Sequence, residues 1–326
     1  MRVLVTGATG FTGGHLARGL KARGYDVIAM VRDQKRASAL HDAGIPTVSG
    51  DLSNPGSLPR AVQGVEIVYN IAALYRLAGL ADAEYRQVNA IGVGQLIEAA
   101  ARAGARRVVH CSTVGVHGDV ERPPANEDAP FRPGDVYQTA KVEGERIATE
   151  SAKTMRIELV IARPSGIYGP GDTRLLKLFR GIARRRFVIL GDGRIFYHLT
   201  YIDDLVEGFR LCGETAAAAG RTYILAGGDV PTLNELAALI AEEAGVPPPR
   251  RHLPVWPFWA AGAVCEVLCA PFGIEPPLYR RRVDFFTKSR AFDISRARQE
   301  LGFSPKVDLR EGVRRTLAWY RQNQWL

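Results

Sequence analysis

A chain of 326 residues that is 46% hydrophobic and 24% charged can bury a large core in one or two domains, and its mean hydropathy of -0.07 excludes a disordered chain. The net charge of +9 includes arginine clusters at Arg184-Arg185-Arg186, Arg250-Arg251 and Arg280-Arg281-Arg282, which could face phosphates, nucleic acid or an anionic bilayer. No nucleic-acid module or aromatic stacking pattern accompanies them, so solvated faces are the plain reading and no nucleic-acid partner is expected. Cys111, Cys212, Cys265 and Cys269 form neither a disulfide framework nor a metal spacing with histidines, which predicts a reducing cytoplasm and no metal.

The first predicted strand, Arg2-Val3-Leu4-Val5, starts so early that no cleaved signal peptide is expected. It runs into T-G-A-T-G-F-T-G and then an amphipathic helix with Leu16 and Leu20 inward and Arg18, Lys21 and Arg23 outward. Gly7, Gly10 and Gly13, with Thr9 and Phe11 among them, therefore stand in a strand–turn–helix context. There a tight turn, close backbone approach and helix N–H groups suit a dinucleotide pyrophosphate.

Strand-like runs continue at 26–31, 46–48, 66–71, 106–111 and 157–162, with helical patterns at 83–102 and 136–152 among those between them. This alternation predicts an α/β fold, a doubly wound parallel sheet of Rossmann type. Residues 1–170 are expected to form the NAD(P)-binding domain, with segments near 195–226 returning to it. Residues 171–326 are read as a smaller, mostly helical substrate-binding region. Ligands bind such sheets at strand C-terminal ends, which assigns Asp51 and Leu52 to the adenine edge and Ala72 and Ala73 to the nicotinamide channel. Strand 2 ends in Val31-Arg32, where a carboxylate would hold the adenosine ribose hydroxyls, so NADP is expected to bind at least as well as NAD.

Tyr137 and Lys141 stand four residues apart in Y-Q-T-A-K, hence on one helix face. An ammonium beside a phenol favours the phenolate and lowers its pKa from about 10, so the pair can exchange a proton with an alcohol or carbonyl.

Taken in order, these motifs resemble the extended short-chain dehydrogenase/reductases, also called the NAD-dependent epimerase/dehydratase family. The likeness runs from Val3 and the glycine turn through Asn70-Ile71-Ala72-Ala73, Val88-Asn89, Cys111-Ser112-Thr113 with Gly118, and the Tyr137–Lys141 pair. It continues through Arg163-Pro164-Ser165-Gly166-Ile167-Tyr168-Gly169-Pro170-Gly171 and Tyr201-Ile202-Asp203-Asp204 to Arg290, Asp293, Leu301-Gly302-Phe303 and Pro305. The resemblance implies Tyr137 as general acid/base, Lys141 as its partner on the nicotinamide ribose, and Thr113 as the hydroxyl that holds the substrate oxygen. It also implies Pro164 at the cofactor, Ser112, Tyr75, Tyr168, His198 and Arg290 at the substrate, and a homodimer paired through helices 83–102 and 136–152.

Departures from the family pattern narrow the activity. Dehydratases follow the threonine with Asp-Glu, whereas Val114-Gly115 cannot move a proton, so dehydration is not expected. Nucleotide-sugar enzymes often carry Arg-Asp-Phe before Tyr-Ile-Asp-Asp; Tyr197-His198-Leu199 stand here, with Arg174 and Arg290 left as available cations. His198 reads as a hydrogen-bonded structural residue rather than a catalyst.

The stretch 253–274 is apolar apart from Glu266, and Pro254, Pro257 and Pro271 leave it too short to span a membrane. It reads as a buried helix, or as a hydrophobic lid or interfacial helix giving membrane-surface contact through 253–282. Together with Ala73-Leu74-Tyr75-Arg76-Leu77, it resembles the 3β-hydroxysteroid dehydrogenase, sterol-4-carboxylate dehydrogenase and hopanoid-associated branch. The expected activity is reversible hydride transfer at a secondary alcohol or ketone of an apolar small molecule. A nucleotide-sugar 4-epimerase with retained NAD and a nonenzymatic NAD(P)-sensing protein are the alternatives.

Overall fold

The computed structural model describes residues 1–75, 79–269 and 280–326, with the side chains of Arg281 and Arg282 excluded. The expectations drawn on Arg76, Leu77, Pro271 and the Arg281-Arg282 guanidiniums lie outside the described residues.

Strands β1 (Arg2–Thr6), β2 (Asp26–Val31), β3 (Thr47–Ser49), β4 (Ile67–Asn70), β5 (Arg107–Cys111) and β6 (Glu158–Pro164) follow the predicted runs within a few residues. Strands β7 (Gly166–Tyr168), β8 (Ile189–Leu190), β9 (Leu199–Tyr201), β10 (Thr222–Leu225) and β11 (His252–Leu253) come later. Seven of them form one all-parallel sheet in the order β3-β2-β1-β4-β5-β6-β10. The fold is thus the expected doubly wound Rossmann-type sheet, with β10 brought back from beyond residue 220 to pair with β6.

A parallel sheet must hide both faces, and β1 shows how. Val3 and Val5 enter one apolar cluster with Leu16 and Leu20 of the helix Phe11–Ala22. Leu4 enters a second cluster on the opposite face with Leu96, Ile97 and Ala148. Chain order reverses between β1 and β4, which opens a crevice at the C-terminal ends of the strands, the place where such sheets take ligands.

The predicted helix at 83–102 is present but not uniform: α-helical Asp82–Arg86 and Gly92–Arg102 flank a π turn at Gln87–Ile91. The wider turn holds Asn89, whose Oδ1 accepts from Leu74 N–H at 2.9 Å and whose Nδ2 donates to Leu74 O at 2.8 Å. Asn89 therefore clamps the loop that follows β4. The helix Val136–Met155 packs tightly on this region, because Gly144 offers no side chain where a Cβ would lie 2.2 Å from Asn89 O.

The apolar stretch forms a helix, Val255–Cys269, but it is not a buried one: Gly262 is its sole buried residue. Trp256 is 72% exposed and Val267 71%. Burial fails because the sheet faces are already covered, so this helix rests on the edge of the molecule beside Arg280–Thr287. Among the described residues no helix is long and apolar enough to cross a membrane.

Replacing Gly144 by Ala should lower stability by about 1–3 kcal/mol in urea unfolding, because the added methyl meets a backbone carbonyl. Helix propensity alone predicts the opposite sign, a gain of about 1 kcal/mol.

Candidate active site

The crevice deepens into a continuous cleft of about 1310 Å³, running from the end of β2 past the glycine turn to Tyr137 and on to the helices Val255–Cys269 and Arg280–Thr287. Gly7 has φ +66°, and a Cβ there would lie 2.8 Å from Ala72 Cα; at Gly13 it would lie 2.3 Å from Gly7 O. Side chains are therefore excluded, and the backbone itself faces the cleft alongside Thr9, Gly10, Phe11 and Thr12. The helix Phe11–Ala22 begins with neither a side-chain cap nor an acidic residue in its first turn. That arrangement fits an anion at the helix start, and so the diphosphate of a dinucleotide.

At the adenosine end, Met30, Val31, Arg32 and Arg36 oppose Gly50, Asp51 and Leu52. Asp33, the first carboxylate after β2, turns away to accept from Lys35 N–H at 2.9 Å. Arg36 was missed in the sequence; its signal was the basic run Arg32, Lys35, Arg36.

Beyond the glycine turn a line of buried side chains ties three strand ends together. Ala72 N–H donates to Thr6 Oγ1 (2.9 Å), Thr6 Oγ1 donates to Asn70 Oδ1 (2.9 Å), and Asn70 Nδ2 meets His110 Nδ1 at 3.2 Å. An amide N–H can only donate, so His110 Nδ1 accepts and its proton lies on Nε2. Ile71, Ala72 and Ala73 are thereby set along the cleft wall.

Tyr137 and Lys141 enter the cleft from the first turns of the helix Val136–Met155, which is capped by Asp135 accepting from Gln138 N–H at 2.8 Å. Lys141 is 1% exposed, and its Nζ donates to Cys111 O at the end of β5 at 2.6 Å. Burial lowers its pKa, while Cys111 and Glu145 oppose the shift. Tyr137 packs edge-on against Tyr75, with ring centres 4.9 Å apart. Thr113 caps a short 3₁₀ turn, and its Oγ1 accepts from Gly115 N–H at 3.0 Å, which leaves the hydroxyl proton free to be donated. Ser112 also lines the cleft; its buried Oγ has no hydrogen-bond partner among the described residues.

Four residues beyond Lys141, Glu145 pairs with buried Arg163 of β6 through Nε (2.9 Å) and Nη2 (2.6 Å). Arg163 Nη1 also donates to Glu127 O at 2.8 Å and meets His117 Nε2 at 3.2 Å. The helix that carries the Tyr–Lys pair is thus locked to the sheet by a doubly hydrogen-bonded ion pair.

Pro164, His198 and Arg290 line the cleft. His198 has both ring nitrogens committed to backbone, Nε2 to Gly227 O (2.9 Å) and Nδ1 to Phe292 N–H (3.2 Å), so it holds the wall in place. Two expectations change. Tyr168, expected at the substrate, is 2% exposed and packs on Tyr201 in the core, outside the cleft wall. Its hydroxyl occupies the space left by Gly312, where a Cβ would lie 2.0 Å away. Arg174 lines the cleft but is not a free cation: Nε donates to Asp172 Oδ1 at 2.8 Å and Nη2 to Ile167 O at 3.0 Å. Glu266, Asp284, Phe285 and Lys288 complete the far wall, and no local sequence signal marked them.

The profile of the NAD dependent epimerase/dehydratase family matches residues 3–226. The chain belongs to that family. It is 31% identical to a 2-alkyl-3-oxoalkanoate reductase of Stenotrophomonas maltophilia (strain K279a), over 98% of this chain and 99% of the relative. It is 30% identical to 3beta-hydroxysteroid-dehydrogenase/decarboxylase isoform 1 of Arabidopsis thaliana, over 86% of this chain and 67% of the relative. Among solved structures, MoeE5 in complex with UDP-glucose and NAD superposes with a TM-score of 0.77 at 26% identity, covering 99% of this chain and 100% of that one. As a family member the protein is an oxidoreductase of the extended short-chain type that binds NAD, and its glycine turn, open helix start and buried Lys141 fit that cofactor.

Burial lowers the pKa of His110, His117 and His198, with Lys141 adding to the effect at His110 and Arg163 at His117. Each is neutral when folded and protonates more readily when unfolded. Their contribution is therefore present above the ordinary value of 6.5 and is lost as pH falls below it. Melting temperature should drop between about pH 7.5 and about pH 5. A flat profile across that range would show the three imidazoles to be uncoupled from stability.

Proposed function

We propose that the protein is an NAD(P)-dependent dehydrogenase or reductase that interconverts a secondary alcohol and a ketone on an apolar small molecule. The observation that carries this reading is the placement of Tyr137, buried Lys141 and Thr113 in one cleft with the glycine turn. Tyr137 passes the proton to or from the substrate oxygen, and Thr113 holds that oxygen with its free O–H. The Lys141 ammonium, steadied on Cys111 O, favours negative charge on the tyrosine oxygen and keeps donors for the ribose hydroxyls. When bound, the nicotinamide supplies or accepts the hydride. Val114 and Gly115 beside Thr113 have no group for water elimination.

The apolar substrate is supported by Tyr75, Leu80, Ile167, Phe285 and Phe292 along the wall, and by the names of the reductase and hydroxysteroid dehydrogenase relatives. The proposed division of labour is residues 1–170 for the cofactor, with segments near 195–226 returning to that domain, and mainly 171–326 for the substrate; the glycine turn at 7–13 and the wall residues Phe285 and Phe292 support it. A homodimer paired through Gly92–Arg102 and Val136–Met155 belongs to the same proposal, and sedimentation velocity reads it.

The second reading is a nucleotide-sugar 4-epimerase with retained NAD. The likeness to MoeE5 and the cations Lys177 and Arg290 on the wall favour it, whereas Lys288 is paired with Asp284 at 2.8 Å. Commitment of Arg174 to Asp172 counts against it. The two readings separate on whether cofactor is consumed stoichiometrically with substrate.

Tyr137→Phe should keep cofactor binding and lower turnover by roughly 10²–10⁴-fold. Turnover within about a factor of two of the parent would remove Tyr137 from its role.

Arg32 and Arg36 with no carboxylate at the end of β2 support NADP as the preferred cofactor. Substituting both by Ala should weaken NADP roughly tenfold or more and NAD only slightly, as read by titration of each. In the parent protein, NAD binding roughly tenfold tighter than NADP would overturn the preference.

A further inference from the structure

The helix Val255–Cys269 exposes an apolar face that the cleft does not use. Trp256 (72%), Trp259 (51%), Val264 (57%), Val267 (71%) and Leu268 (64%) project from one half of its circumference. Its one carboxylate, Glu266, is tied to Arg280 by backbone N–H (2.8 Å) and Nε (2.7 Å), so no free negative charge interrupts the surface. The Arg280 guanidinium also lies over the Trp259 ring at 5.6 Å.

Topology then assembles charge beside it. Strand β11 pairs in parallel with β8, and each is only two residues long. Arg184, Arg185 and Arg186 precede β8, and Arg250 and Arg251 precede β11. The five exposed arginines therefore collect at the N-terminal end of this two-residue ribbon, and the tryptophan-bearing helix starts just past its other end. None of the five side chains makes an ion pair among the described residues.

We infer that this face seats the protein on an anionic phospholipid bilayer. Indole rings and aliphatic side chains enter the headgroup boundary, and the guanidiniums meet lipid phosphates. Fifteen residues at about 1.5 Å each are too short to span the hydrocarbon core, so the helix lies in the surface. Charge complementarity favours an anionic surface over a second copy, which would bring the same five arginines and, among the described residues of this face, no free carboxylate to neutralise them. The same helix contributes Glu266 to the cleft wall, so seating brings that wall to the interface. The inference stands apart from the proposed activity, since lipid binding needs no turnover.

The test uses the full chain with vesicles of phosphatidylcholine alone and with phosphatidylglycerol in a roughly two-to-one mixture. The parent should float with the anionic vesicles, release as salt is raised, and show tryptophan quenching by brominated acyl chains. Trp256→Glu combined with Val267→Glu should weaken binding roughly tenfold or more with an unchanged melting temperature, since both side chains are exposed. Arg250→Glu with Arg251→Glu should weaken it through charge alone. The inference fails if the parent stays unbound to anionic vesicles or if the Trp256→Glu/Val267→Glu protein binds as the parent does. It also fails if that variant instead splits a lipid-free oligomer, which would make the face an interface between copies.

Discussion

A fully buried ammonium is the constraint on which the site depends. Lys141 gives up water to donate to Cys111 O at 2.6 Å, and desolvation of this kind is costly unless the group is held by partners. The bond joins the helix Val136–Met155 to the C-terminal end of β5, which leads directly into Ser112 and Thr113. One contact thus sets the tyrosine helix against the strand that precedes the second hydroxyl. Glu145 and Arg163 lock the same helix to β6, and the bare backbone of Gly144 lets it approach the π turn at Asn89. These interactions are mutually dependent, because a helix displaced by an ångström would leave charges buried without partners.

The cleft grades from charged to apolar along its length. Arg32 and Arg36 stand at the adenosine end, backbone amides face the middle, and aromatic and aliphatic side chains enclose the far end with a few cations among them. This order matches a ligand that is anionic at one end and reacts at the other. Histidines contribute rigidity: His110 and His198 spend ring nitrogens on neighbouring groups and stay neutral through burial. The surface next to the apolar end carries the exposed tryptophans, so the hydrophobic character of the wall continues onto the outside of the molecule.

Much of this was legible in the sequence because its signals are local. Short apolar runs rich in β-branched residues marked β1, β2 and β5, glycine spacing marked the turn after β1, and the four-residue offset placed Tyr137 and Lys141 on one helix face. The family motifs placed Thr113, Pro164 and Ser112 on the cleft wall for the same reason: each lies at or within two residues of a strand's C-terminal end.

Only the tertiary structure decided the rest, because those outcomes depend on partners far along the chain. Tyr168 is buried because Gly312, 144 positions later, vacates the space its hydroxyl fills. Arg174 is spent on Asp172 and Ile167, and Phe285 and Lys288 reach the cleft by packing that no motif encodes. The apolar stretch at 253–274 could equally well have lain in the core by its composition. Whether its helix is covered depends on whether a sheet face remains free, and both were already occupied. Periodicity along the chain thus determined the sheet, the glycine turn and the Tyr–Lys pair, whereas packing between distant segments decided which side chains line the cleft and which apolar face stays exposed.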